Sequence, residues 1–174
     1  KRIAEALPMT VMRWGKFRVK GEKNVVRTAW ASERVSKDRL RDSSFVRLAA
    51  DANAANPDAP DVPRREVFYG QLQYITYVVL PKNNVLRVRE DSKAILGMVW
   101  WCRNARGNAA VRPVWYKDMG AHQAVNVSTI QCSVGRVETR GWFGLVTSGK
   151  QPFPLTFYMD YKYYKLSFSG RRLG

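Results

Sequence analysis

Polar and apolar residues alternate along much of this chain with the period of two that marks a strand half exposed to water. In Lys16-Phe17-Arg18-Val19-Lys20 the alternation puts three cations on one side and Phe17 and Val19 on the other, because successive strand side chains point to opposite faces. Gly21-Glu22-Lys23-Asn24 supplies turn residues before a β-prone run over 25–30, so the segment predicts a hairpin. Residues 36–41 predict one or two helical turns capped by Ser36, and 44–48 a short strand. The strongest β signal covers 67–80, rich in β-branched and aromatic residues and stopped by Pro81. It is long for a flat strand, and Gly70 is the expected bulge or bend. Residues 86–89 alternate again, and 94–103 form a second core strand closed by the turn residues of 104–108. Further strands are expected at 114–116, 124–127, 130–137 and 142–146, with Asp118-Met119-Gly120 as a turn and His122 in a loop. No window sustains a helical period. The class is therefore all-β with few short helices, a small barrel or sandwich.

The clearest break in composition is 49–63, with three Asp, three Pro and no basic residue, which reads as a surface loop or linker. It divides a basic hairpin region at 9–48 from a barrel-like core at 64–148, and an aromatic and basic segment follows at 149–174. The first portion is too small to bury much core alone, so 1–174 reads as one domain. No run approaches the ~18 consecutive apolar residues of a membrane helix, and 3–8 is too short and interrupted for a signal peptide. The expectation is a soluble, non-secreted protein with no membrane partner.

Charge narrows the partners. Thirty Lys and Arg against fourteen Asp and Glu give +16, spread along the chain and not gathered in a tail. Such an excess is the electrostatic footprint of a nucleic-acid binder, with affinity that weakens as salt rises. The cations singled out lie on basic strand faces and at turns: Lys16, Arg18 and Lys20 on the hairpin, Arg87 and Arg89, Arg103 and Arg106, and Lys162, Lys165, Arg171 and Arg172 near the end. Arg39, Arg41 and Arg47 join them.

Little else points to chemistry. Cys102 and Cys132 lack metal-ligand spacing, the chain has a single histidine, and a closed zinc site takes four such ligands. Both cysteines end apolar runs, where a thiol behaves as a small buried hydrophobe, so reduced thiols in a nuclear setting are expected. Asp42, Asp51, Asp118, Glu138 and Asp160 show no spacing that would clamp catalytic metal ions, which speaks against a nuclease and implies no cofactor. A coat protein ranks lower because the charge is not concentrated in an arm. Aromatic residues allow one more reading, a peptide pocket built from Trp101, Trp115 or Tyr116 that would cage methyl-lysine through cation-π attraction.

The order of several short motifs adds a resemblance. The segments 41–47 (Arg41-Asp42-Ser43-Ser44-Phe45-Val46-Arg47), 67–72, 95–97 and 123–137 together resemble the module near the C-terminus of proteins encoded by fungal DNA transposons of the Kyakuja-Dileera-Zisupton kind. More distantly, Tyr69-Gly70-Gln71-Leu72 before Met98-Val99-Trp100-Trp101, followed by 125–130, is similar to bromo-adjacent homology domains, chromatin modules built on an SH3-like β-barrel. The resemblance implies an accessory DNA-binding module of a mobile-element or chromatin protein, without transposing activity. Its expected partner is DNA, RNA not being excluded, with histones or the nucleosome as the alternative.

Overall fold

The computed structural model of the chain describes residues 12–19, 25–32, 42–51, 65–80, 82, 92–147 and 157–158. In chain order the elements are β1 (Met12–Trp14), β2 (Lys16–Val19), β3 (Val25–Arg27), α1 (Ala29–Ser32), β4 (Phe45–Asp51), β5 (Arg65–Leu80), β6 (Ser92–Cys102), β7 (Val114–Tyr116) and β8 (Met119–Asn126). A 3-10 turn (Val127–Thr129) leads to β9 (Ile130–Ser133), β10 (Gly135–Thr139), β11 (Trp142–Val146) and β12 (Phe157–Tyr158). The protein is all-β. Every strand pairing is antiparallel, and no helix among the described residues is long and apolar enough to cross a membrane.

The largest sheet runs β8-β6-β5-β4-β9, with β1 added to β5 beyond the end of β4. Alternation along these strands fills two cores, one on each face. Val46, Leu48, Leu72, Ile75, Val99 and Ile130 form the first with Trp14, and the hairpin residues Phe17 and Val26 join them. Phe45, Tyr69, Cys102 and Cys132 form the second, covered by Val114, Tyr116 and Leu145 from the sheet β10-β11-β7. The sheets therefore stack as layers, the sandwich arrangement.

Several local expectations change. The extra residue of β5 is Gln73, where the register slips between Leu72 opposite Val99 and Tyr74 opposite Met98. Gly70 sits instead in regular pairing between Val46 and Trp101. One inserted residue reverses the alternation, so Leu72 and Ile75 share the first core although they stand three apart. Residues 49–51, expected as the start of the loop, belong to β4 and pair with 65–67 of β5. Residues 119–123, expected as turn and loop, are the start of β8, ordered by pairing with β6 despite their small and polar side chains. The run 130–137 breaks at Val134 into β9 and β10, strands of different sheets, and Val134 N–H donates to Phe45 O at 2.8 Å. The helical turn falls at 29–32, where Thr28 caps it by accepting from Ala31 N–H at 3.2 Å; the turn expected at 36–41 and the strand at 86–89 lie outside the described residues.

The second core is sensitive to alkali. Burial pushes the Cys102 thiol from 9.0 up to about 12, against the pull of Tyr116 and Arg136. Burial likewise pushes Tyr116 from 10.0 up to about 12, with Cys102 adding and Arg136 opposing. Both groups stay neutral in the folded chain where the unfolded chain has released their protons, so their contribution is intact below pH 9 and is lost as pH climbs toward 12. Each group costs on the order of 1 kcal/mol per pH unit across that window. Denaturant melts should give constant stability up to about the thiol's ordinary value and a decline above it, and Tyr116→Phe should make the decline shallower; a slope identical in the variant would remove Tyr116 as a cause.

Candidate nucleic-acid interface

The hairpin behaves as its alternation predicts. Phe17 is 1% exposed while Arg18 on the opposite face is exposed and Lys16 half-buried. Lys16 and Arg18 pair across the strands with Arg27 and Val25. Lys20, Arg39, Arg41, Arg87, Arg89, Lys162, Lys165, Arg171 and Arg172 lie outside the described residues. Arg47 does not belong to a basic surface: it faces the second core, 8% exposed, and its Nε has no hydrogen-bond partner.

Arg103 and Arg106 stand on the connection from β6 to β7, and there the structure adds cations not singled out from sequence. Arg112 is exposed on the same connection and Lys117 just beyond β7, and Arg103 N–H donates to Asp118 O at 2.9 Å, tying the start of the connection to the turn between β7 and β8. The connection is held from beneath by one side chain. Tyr69 Oη accepts from Ala109 N–H at 2.8 Å and donates to Gly107 O at 3.1 Å, while Thr147 N–H donates to Ala109 O at 3.2 Å. Asn108 adds local order, its carbonyl accepting from the N–H groups of Val111 and Arg112 and its side chain from Ala110 N–H. Ala105 and Ala109 are buried, so the loop turns its small apolar residues inward and its cations outward. Val111 at its crest is 81% exposed.

Burial raises the Tyr69 hydroxyl above its ordinary value, with the Ala109 bond and Arg47 opposing and Cys132 adding, so Tyr69 stays a neutral donor at physiological pH. Tyr69→Phe leaves the Ala109 N–H and Gly107 O without their partner. The expected loss is about 1–3 kcal/mol, the usual cost of an unsatisfied buried group, with faster amide exchange confined to 105–112. Exchange unchanged in that segment would show that something else holds the loop.

Next to the loop, the outer face of β10-β11-β7 is apolar and aromatic. Trp115 is 44% and Trp142 49% exposed, and Val137 on edge strand β10 lies in one row with Trp115 across Gly144 of the central strand β11. Gly144 makes the flat packing possible: a Cβ there would lie 2.9 Å from the Trp115 ring. Lys117 follows on the same face of the chain, two residues beyond Trp115, and Arg140 sits at the hairpin tip with positive φ. Arg136 points the other way, its guanidinium 4.7 Å from the Phe45 ring centroid and 4.9 Å from that of Phe143.

The three aromatic residues of the expected peptide pocket do not come together. Trp115 and Tyr116 are neighbours on one strand and point to opposite faces, Tyr116 being only 2% exposed within the second core. Trp101 packs against the first core, edge-on to Phe68, and its Nε1 donates to Gln123 Oε1 at 2.9 Å.

The carboxylates are equally scattered. Asp42 caps the turn before β4 by accepting from Ser44 N–H at 3.1 Å and from its hydroxyl, and Asp118 and Glu138 are exposed. Among the described residues no three His, Cys, Asp or Glu side chains gather where they could hold a metal ion. Cys102 and Cys132 are buried and outside any disulfide, as expected. The segments that carry the transposon-module resemblance fall on β4, β5, β6 and β8 to β10. No family model, curated protein or solved structure matches the chain.

Proposed function

We propose that this protein binds nucleic acid, DNA in the first instance, with the β6–β7 loop and the Trp115 face as its contact surface. One observation carries the reading: Arg103, Arg106 and Arg112 project from an acid-free β6–β7 loop pinned by Tyr69, and Trp115 and Lys117 are exposed on and just after β7. Fixed cations meet phosphates without first losing conformational freedom, and an exposed ring offers a surface for a base or sugar. The overall +16 attracts the polyanion from a distance. The resemblance to transposon-encoded and bromo-adjacent homology modules agrees with this reading and would place the protein in a mobile-element or chromatin setting in the nucleus.

The test is an anisotropy titration of labelled duplex DNA, single-stranded DNA and duplex RNA over a salt series. Binding with log affinity falling linearly against log salt is expected, together with a preference among the three that survives added competitor. No binding to any of them at low salt would sink the proposal. A histone-tail reader is the second reading. Strand β10 favours it: among the described residues it pairs only with β11, and all five of its residues are exposed, as an edge that could accept an added strand. Peptide binding that is indifferent to salt and lost with a proline in β10 would favour that alternative.

A further inference from the structure

The second face of the large sheet is only partly covered by β10-β11-β7. Where β5 bulges at Gln73 and β4 gives way to β1, a groove of about 490 Å³ opens, lined by Arg13, Trp30, Gln73, Tyr74, Met98 and His122. Its size lies within the ~300–1,000 Å³ of small-ligand clefts. Four separate features build it. The bulge reverses the alternation of β5 and so brings Tyr74 to this face. Gly15 lets α1 pack closely, since a Cβ there would meet Ala31 Cβ at 2.7 Å, and α1 carries Trp30. Arg13 lies across the Tyr74 ring, 4.3 Å from its centroid. His122 stacks on Trp100 with centroids 5.1 Å apart and planes 12° from parallel, and Trp100 is itself fixed by donating to Gly120 O at 2.9 Å.

From this geometry we infer that the groove takes one unpaired nucleobase, its ring against the aromatic wall and its phosphate toward Arg13. Stacking surfaces and a guanidinium are what a single-stranded nucleotide needs, because every base has a π-face and every linkage a negative charge. Gln73 Nε2 is already committed to Gln71, at 3.3 Å to its backbone oxygen and 3.1 Å to Oε1, which leaves the Gln73 carbonyl to accept from a base edge. None of the six lining residues is acidic, and Arg13 repels an ammonium group, so the groove suits a nucleotide and not methyl-lysine. The inference rests on the nucleic-acid reading and adds to it a second contact, one that a fully paired duplex cannot fill.

The test uses the full chain and three probes: a short oligothymidylate, an abasic oligomer of equal length, and a blunt duplex of mixed sequence. Wild type should bind the oligothymidylate about tenfold more tightly than the abasic oligomer, within the range of one stacked base, and binding should quench tryptophan emission. His122→Ala, at an exposed position, and Tyr74→Leu should each lose most of that preference while duplex affinity stays within about twofold. Tyr74→Phe, which keeps the ring, should retain it. If all probes bind but base and abasic strands bind alike, or the preference survives both variants, the groove assignment falls and the nucleic-acid reading stands. If no probe binds, both fall. Quenching by a trimethyl-lysine peptide and not by the oligothymidylate would also overturn the assignment.

Discussion

Gly70→Ala is expected to lower the stability of the fold by about 2–3 kcal/mol, near the upper end of overpacking costs, and the melting temperature by about 5–10 °C for a chain of this size. The position is buried in the middle of β5 between β4 and β6. A Cβ there would lie 2.4 Å from Val99 Cγ1, 2.8 Å from the Trp100 carbonyl oxygen and 3.3 Å from its carbonyl carbon. The first contact could be relieved by a rotation of the valine side chain or by its removal. The second cannot, because the Trp100 carbonyl belongs to the backbone of the neighbouring strand. The double variant Gly70→Ala with Val99→Ala separates the two causes: if the clash were only with the side chain, the second change would restore part of the stability, whereas a backbone clash leaves the double variant weaker than either single. A melting temperature within about a degree of wild type for Gly70→Ala would refute the close approach, since it corresponds to under ~0.5 kcal/mol.

The same glycine shows why part of the fold was readable from sequence and part was not. A glycine inside a strand marks either a bulge or a close approach of another backbone, and composition does not distinguish them. Here Gly70 is the close approach, and the bulge is at Gln73, a residue type with no bulge signal. From that point the alternation of β5 is reversed, so Tyr74 faces the groove and Ile75 the core, opposite to what continuous counting from Tyr69 gives. The strands at 94–103, 114–116 and 142–146 were legible because β-branched and aromatic residues dominate them. The first half of β8 was not, because its order comes from pairing with neighbouring β6 and not from its own Gly, Ala and His. For the candidate interface, Arg103 and Arg106 were visible beside turn residues, and the incompatibility of Trp115 with Tyr116 in one pocket was already implicit in the period of two. The groove could not be read, since its lining comes from β1, α1, β5, β6 and β8, and no local pattern records which segments meet.

Removing the three loop cations and Lys117 together, Arg103→Gln, Arg106→Gln, Arg112→Gln and Lys117→Gln, is expected to produce the largest functional loss. Each phosphate contact contributes about 0.9 to the slope of log affinity against log salt on duplex DNA, so the variant's slope should be shallower by about three to four. Between about 50 and 200 mM salt that difference corresponds to about two decades of affinity. Stability should change little, because all four side chains are exposed and the loop is held by Tyr69, Asn108 and Thr147 through bonds that the substitutions do not touch. The comparison that decides the matter is a control variant of equal charge, Lys82→Gln, Lys93→Gln, Lys16→Gln and Arg18→Gln, drawn from cations outside that surface. If attraction were only a matter of net charge, both variants would lose affinity alike, and the loop would have no special standing. If the loop is the contact surface, the control keeps most of the wild-type slope and loses mainly association rate, because distant charges steer the encounter while contacting charges release counterions. Tyr69→Phe then gives an intermediate result for a different reason: it keeps every cation and so keeps the slope, but a loosened loop must be ordered on binding and affinity falls at all salt concentrations together.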